Sequence, residues 1–312
     1  MDDATTREPG PERWRAQAPE AFELFDHVEA LAAGSVDDSI LAPVRAAVAA
    51  QLCHPDELTR PVTGAADAPA DRPADPRADV CVSFAEQFVV DVAGITDEQR
   101  AALGGVMGSD TFVFTQALYV IDVFQRGRIT LARLFDTPFG PALPAASGDL
   151  WGTLERFMRV VALGVALDPL TTELVRLRGA RAHQCRVCQS RLSVRALDSA
   201  GSEEPFAAID DYEHGDLSER HRVALRLTDA LITQPAFIDD QLVAQVWEQF
   251  AAAEVAEIVL DVVRNGANKI AVALGGDEAQ VTDGIEFFDV DASGDVVAGT
   301  DIDEVRALSS AR

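Results

Sequence analysis

The sequence predicts an all-α protein made of two related helical units fused in tandem and closed by a short β-hairpin. Three observations predict it. Apolar residues recur at helical spacing through most of the 312-residue chain. A set of short matches occurs in the same order in both halves. Only the C-terminal stretch changes to alternation with turn residues, the pattern of strands.

Residues 1–16 are polar, carry Pro9 and Pro11, and read as a flexible tail. The N-terminal unit spans 17–137. Phe22, Leu24, Phe25, Val28 and Leu31 mark a helix over 19–33, and Ser35 to Asp38 offers caps for a second over 40–52. From 55 to 78, five prolines among Ala and Asp residues predict a disordered loop. Helices follow over 80–92, 96–106 and 110–126, the last two opened by Thr96 and Ser109. A loop at 138–147 separates the units. The C-terminal unit, 148–312, predicts helices over 148–166, 168–182, 184–197, 218–233, 239–249 and 252–274. In the last, Glu254, Glu257, Asp261, Arg264, Asn265 and Asn268 form one polar stripe on an otherwise apolar helix. Ile285 to Val290, a turn around Asp291 to Gly294, and Asp295 to Ala298 read as a hairpin at about 285–298. Asp289, Asp291 and Asp295 lack the spacing and closing Glu of a calcium loop and are read as turn residues.

The repeat rests on three pairs of segments. Val44 to Cys53 echoes Val175 to Cys185. The segment after Phe84 matches that after Arg226, and Asp122-Val-Phe-Gln-Arg-Gly matches Asp261-Val-Val-Arg-Asn-Gly. Only the second unit has a pair of cysteines at this place, so the first reads as a degenerate copy that serves as packing partner.

Composition narrows the function. A hydrophobic content of 48% suffices for a packed core, no apolar run approaches the roughly 18 residues of a membrane span, and Met1-Asp-Asp does not begin a signal peptide. These features predict a cytoplasmic protein. A formal charge of -26 argues against nucleic acid or an anionic membrane as partner. Four cysteines with one close pair do not make a disulfide framework; they fit a functional dithiol in a reducing compartment.

That pair, Cys185 and Cys188, lies in a stretch unlike the rest of the chain. No acid occurs from Leu174 to Leu197, and six arginines (176, 178, 181, 186, 191 and 195) surround the pair. A local positive field favours thiolate over thiol, and residues three apart share a helical face if 184–197 is helical. Two other readings stand beside the redox one: half of a zinc site, for which only His183 lies near, or two small packed residues. Neither cofactor nor metal is expected.

Leu167-Asp-Pro-Leu-Thr-Thr-Glu173-Leu-Val-Arg-Leu-Arg, followed by Cys185-Arg-Val-Cys188, resembles the alkyl hydroperoxidase D-like branch of the carboxymuconolactone decarboxylase-like superfamily. The resemblance covers about 148–280, with a fainter echo over 19–135. It implies a helical homo-oligomer and an antioxidant dithiol that reduces a peroxide or exchanges with the disulfide of a thiol reductant protein. Carried over, Cys188 is the attacking thiol, Cys185 the resolving thiol and Glu173 the glutamate of a proton relay. The family's relay histidine falls on Leu192, so His183 is the remaining candidate for that role. The expected function is therefore a peroxidase or thiol-disulfide oxidoreductase acting on a peroxide or other small molecule. The alternatives are a catalytically decayed helical oligomer or, more remotely, a lactone decarboxylase-type enzyme. A largely apolar helix at 252–274 adds to the expectation of assembly.

Overall fold

The structure, a computed structural model, describes residues 12–53, 75–137, 143, 145–281 and 283–310. The first eleven residues of the expected tail, nearly all of the proline-rich loop and most of the loop at 138–147 lie outside these residues. The first half runs α1 (Glu12–Arg15), α2 (Pro19–Ala33), α3 (Asp38–Gln51), α4 (Ala78–Val90), a 3-10 turn at Val92–Gly94, and α5 (Asp97–Met107). Then α6 (Thr111–Tyr119) passes through a π-helical stretch, Val120–Phe124, into α7 (Gln125–Phe135). The second half runs α8 (Leu150–Ala162), α9 (Pro169–Ala182), α10 (Arg186–Gln189), β1 (Arg191–Ser193), α11 (Val194–Ala200), α12 (Glu204–Ala207), α13 (Glu219–Thr233), α14 (Asp240–Gln249), α15 (Ala252–Asn265) and α16 (Asn268–Leu274). The chain closes with β2 (Glu286–Val290), β3 (Val296–Gly299) and α17 (Ile302–Ser310). The fold is all-α with a β element near the C-terminus. Among the described residues, no helix is long and apolar enough to cross a membrane.

Local signals account for most helix starts. Asp37 accepts from Ser39 N at 2.8 Å and opens α3. Thr96 and Gln99 form a reciprocal capping box on α5. Trp14 of α1 is buried and meets Phe22 edge to face, with ring centroids 4.5 Å apart.

One continuous core draws on both halves. Its centre is aromatic: Phe25 of α2, Phe124 of the π stretch and Phe157 of α8, with centroid separations of 4.4, 5.1 and 6.1 Å. Each ring contributes on the order of 1.5–3 kcal/mol by burial. A buried charge cluster ties the same halves. Asp122 lies in the π stretch between Arg126 Nε at 2.7 Å and Lys269 Nζ of α16 at 2.5 Å. Arg126 also donates to Val89 O and Ile232 O, reaching α4 and α13. The apolar faces of 252–274, which suggested an assembly contact, are used up inside the chain: Val255, Ile258, Val259, Val262 and Val263 are all buried in this core.

In the first half α3 is followed by α4, a 3-10 turn, α5 and an interrupted helix; in the second, α10, β1, α11, α12 and a 3-10 turn at Ala208–Asp211 intervene between α9 and α13, before a 3-10 turn at Pro235–Phe237, α14 and the α15–α16 pair.

Three expectations need correction. The stretch 184–197 is not one helix but α10, β1 and α11. Its middle pairs in parallel with β2, Arg191 opposite Glu286 and Leu192 opposite Phe287, and Glu286 N donates to Ser190 O at 2.9 Å. The partner strand lies 95 residues away, so no local periodicity announces it. The helix at 252–274 breaks at Gly266 and Ala267 into α15 and α16. Helix α17, which covers the hairpin, was not anticipated; its only buried residue is Val305.

Helix α7 approaches α15 closely because residue 127 is glycine. A Cβ there would lie 2.7 Å from Val263 Cγ2 and 3.7 Å from the Phe25 ring. Gly127→Leu is expected to lower unfolding free energy by about 1–3 kcal/mol through overpacking, despite leucine's higher helix propensity. Urea denaturation checks this; an unchanged midpoint would show that the two helices separate without cost.

Candidate functional site

Helix α9 opens with Asp168 accepting from Thr171 N at 2.9 Å and with Pro169 in its first turn. It ends where Gln184 adopts a left-handed conformation, φ 51°. His183 N bonds to Gly179 O, and Cys185 N reaches back to Ala180 O at 3.0 Å. This Schellman-type closure turns the chain inward and drops Cys185 into the core. A non-glycine residue at positive φ is uncommon, so surrounding contacts hold this turn. One of them is Asp277, just beyond α16. Its carboxylate accepts from Arg186 N at 2.9 Å and from the Arg186 guanidinium, and its carbonyl accepts from Val187 N at 3.0 Å. Hydrogen bonding to Arg186 holds the Asp277 carboxyl below its usual range.

Cys185 and Cys188 form a disulfide, with Cα atoms 5.3 Å apart. Cys185 is fully buried, whereas Cys188 is only partly buried. Cys188 borders a cavity of about 130 Å³ that it shares with Arg264, Asn265, Asn268 and Phe288, and a second of about 330 Å³ opens beside it. Among the described residues, no group of three or more His, Cys, Asp or Glu side chains could hold a metal ion.

Glu173 is buried, and both of its oxygens are engaged. Arg176 donates to them from Nε and Nη2, each at 2.7 Å, and Ser193 N donates to Oε1 at 3.1 Å. The same guanidinium donates to Cys188 O at 2.9 Å and Arg191 O at 2.8 Å, and lies 4.9 Å from the centre of the Phe288 ring. His183 is elsewhere. Its Nδ1 donates to Asn268 Oδ1 at 2.8 Å, and burial, reinforced by Lys269, pushes its pKa down to about 3. Of the four residues singled out from sequence, the structure therefore joins the cysteines to each other, and Glu173 to Cys188 through Arg176. His183 reaches the cysteine cavity only through Asn268. Leu192 is not one helical turn past Cys188; it lies in β1, buried in a second core cluster with Leu174, Leu177 and Ala196.

The expected positive field is also corrected. Every one of the six arginines pairs with a carboxylate: Arg176 with Glu173, Arg178 with Asp229, Arg181 with Asp210, Arg186 with Asp277, Arg191 with Glu286, and Arg195 with Asp289. Glu173 directly precedes the acid-free stretch, and the other five acids lie farther along the chain. The cation left beside Cys188 is Arg264, on the polar stripe of α15. It donates to Met158 O at 2.9 Å, and among the described residues it has no ion-pair partner. Asp261, one turn earlier, is buried with Oδ2 unbonded, and burial pushes its pKa up to about 8. Asn265 Nδ2 is also buried without a partner. A third cavity, of about 100 Å³, runs from Glu173 and Asp261 to Arg264 and Asn265. The stripe itself was visible in the sequence. Its distance from the cysteines, about 70–80 residues along the chain, hid its place in the site.

The chain is 39% identical over 232 residues to two uncharacterized proteins of Mycobacterium tuberculosis, MT2376 of strain CDC 1551 / Oshkosh and Rv2313c of strain ATCC 25618 / H37Rv. Each alignment covers 72% of this chain and 82% of the relative. It is 26% identical over 117 residues to the uncharacterized protein YnjA of Escherichia coli K12, covering 35% of this chain and 64% of that protein. No family model matches the chain, and no solved structure matches it.

The buried acid leaves a pH signature. A carboxyl whose pKa is raised on folding contributes its full stability below the unfolded value and loses it as pH climbs towards the folded value, here about 8. Wild-type protein should therefore lose about 1 kcal/mol per pH unit between pH 6.5 and 8 through Asp261. Asp261→Asn should remove that loss while every other group titrates as before. Denaturation at both pH values checks it; equal slopes in the two proteins would mean that Asp261 titrates outside this window.

Proposed function

The chain belongs to the family of the uncharacterized M. tuberculosis proteins MT2376 and Rv2313c, and we propose that it is a thiol-disulfide oxidoreductase of peroxidase type working through Cys185 and Cys188. One observation carries this reading: the disulfide joins a fully buried sulfur to one that borders a cavity. Such asymmetry supports distinct roles for the two sulfurs. Cys188 meets the substrate, and Cys185, out of reach of anything but its neighbour, resolves. The likeness of Glu173 and the C-x-x-C to the alkyl hydroperoxidase D-like pattern supports the same assignment.

In the reduced protein, the Cys188 thiolate attacks the terminal oxygen of a hydroperoxide. The O–O bond breaks, a sulfenic acid forms, and the alkoxide takes a proton from water and leaves as the alcohol. The Cys185 thiol then attacks the Cys188 sulfur, its proton leaving with the expelled hydroxide as water, and the disulfide forms. The peroxide gains two electrons and the dithiol loses two; an external dithiol returns them by exchange at the exposed sulfur. Thiolate at Cys188 is favoured by Arg264, the cation of its cavity without an ion-pair partner among the described residues. Glu173 acts as a positioning residue. With both oxygens engaged, it fixes Arg176, which holds the Cys188 carbonyl. His183, kept neutral, does not enter the proton transfer.

With reduced protein and stoichiometric tert-butyl hydroperoxide, Cys188→Ser should slow peroxide consumption at least about 100-fold. Cys185→Ser should retain one turnover and stop with Cys188 as a sulfenic acid, detected by mass after dimedone capture. Folded wild-type protein that kept both thiols free would remove the redox reading. Sulfenic acid on Cys185 instead would reverse the roles.

A further inference from the structure

The cavity beside Cys188 presents donors that are not fully met among the described residues. Arg264 is fixed at one end, Nε donating to Met158 O, and only the Oδ1 of Asn265, at 3.5 Å, faces Nη1. No carboxylate pairs with it among the described residues, and none lines the 130 Å³ cavity. Asn265 Nδ2, buried and unpaired, is a second donor on the same wall. Asp261 in the adjoining cavity makes no ion pair with Arg264, and burial raises its pKa, which weakens it as a counter-ion. A partly buried guanidinium that lacks an ion-pair partner favours an anion at its free donors. Phe288 and Val296 supply apolar surface to the same cavity.

We propose that this cavity binds the carboxylate of a small organic acid, with Arg264 and Asn265 as its donors and Phe288 against its hydrocarbon body. The planar fork of Arg264 suits a carboxylate, which accepts two parallel N–H bonds. The volume is close to that of an engineered cavity that takes benzene, which limits the acid to a compact one. The assignment deepens the redox reading by naming its substrate class: a hydroperoxide or disulfide that carries a carboxylate, seated with its reactive bond at Cys188 Sγ. The other arginines of the cavity rim do not compete for it, since Arg176 and Arg191 are already paired with Glu173 and Glu286.

Isothermal titration of benzoate into the full-length oxidised protein tests the site, with benzamide as the neutral counterpart. Benzoate should bind at least about tenfold more tightly than benzamide, as expected for a charge-assisted pair. Arg264→Gln should abolish the difference, Arg264→Lys should retain part of it, and Asn265→Leu should weaken benzoate several-fold. If Arg264→Gln does not fold, the Asn265→Leu and benzamide comparisons still decide. Equal affinity for benzoate and benzamide in folded wild-type protein overturns the proposal. The titration needs no turnover, so the two readings fail separately. Benzoate binding in a protein whose thiols ignore peroxide removes only the redox reading, and ready thiol oxidation without benzoate selectivity removes only the carboxylate site.

Discussion

The ion pair between Glu173 and Arg176 is the constraint on which the cysteine site depends. A carboxylate as buried as Glu173 is tolerable only when its charge is met and its oxygens are bonded. Arg176 does both, and its remaining donors go to the carbonyls of Cys188 and Arg191. One guanidinium thus joins α9, the C-x-x-C turn and the strand that follows. Loss of either partner would leave the other charged and buried, and free three segments at once. The motif glutamate is accordingly part of the scaffold.

The same logic extends outward. The acid-free stretch around the cysteines is neutralised by Asp229, Asp210, Asp277, Glu286 and Asp289, which arrive from α13, a 3-10 turn at Ala208–Asp211, the segment after α16 and the sheet. Exposed pairs such as Arg181 with Asp210 contribute little stability. Together, however, they offset the charge that a linear reading places around the cysteines, and leave Arg264 as the cation of the Cys188 cavity without an ion-pair partner among the described residues. Helix α16 then links this site to the first half. Asn268 bonds His183 and borders the Cys188 cavity, while the next residue, Lys269, reaches Asp122 in the π stretch. The half without a dithiol therefore supplies the buried anion that seats the helix beside it.

The sequence by itself determined the helical class, the hairpin, the place of the cysteine pair and the polar stripe on α15. Each is encoded by local periodicity, turn chemistry or spacing, which operate within a few residues. It did not reveal that Arg191 to Ser193 forms a strand, because Leu192 has the same apolar character in a helix as in a sheet and its partner is Phe287. Nor did it reveal that Asp277 pins the C-x-x-C turn, since a lone aspartate after a Gly-Gly pair carries no local signal. Charge is the clearest case. Along the chain the cysteines sit among six cations; in space each of those cations has an anion, and the one beside Cys188 without a partner among the described residues is Arg264. Only the tertiary structure decides this, because electrostatic interaction falls off with distance through space and not with separation along the chain.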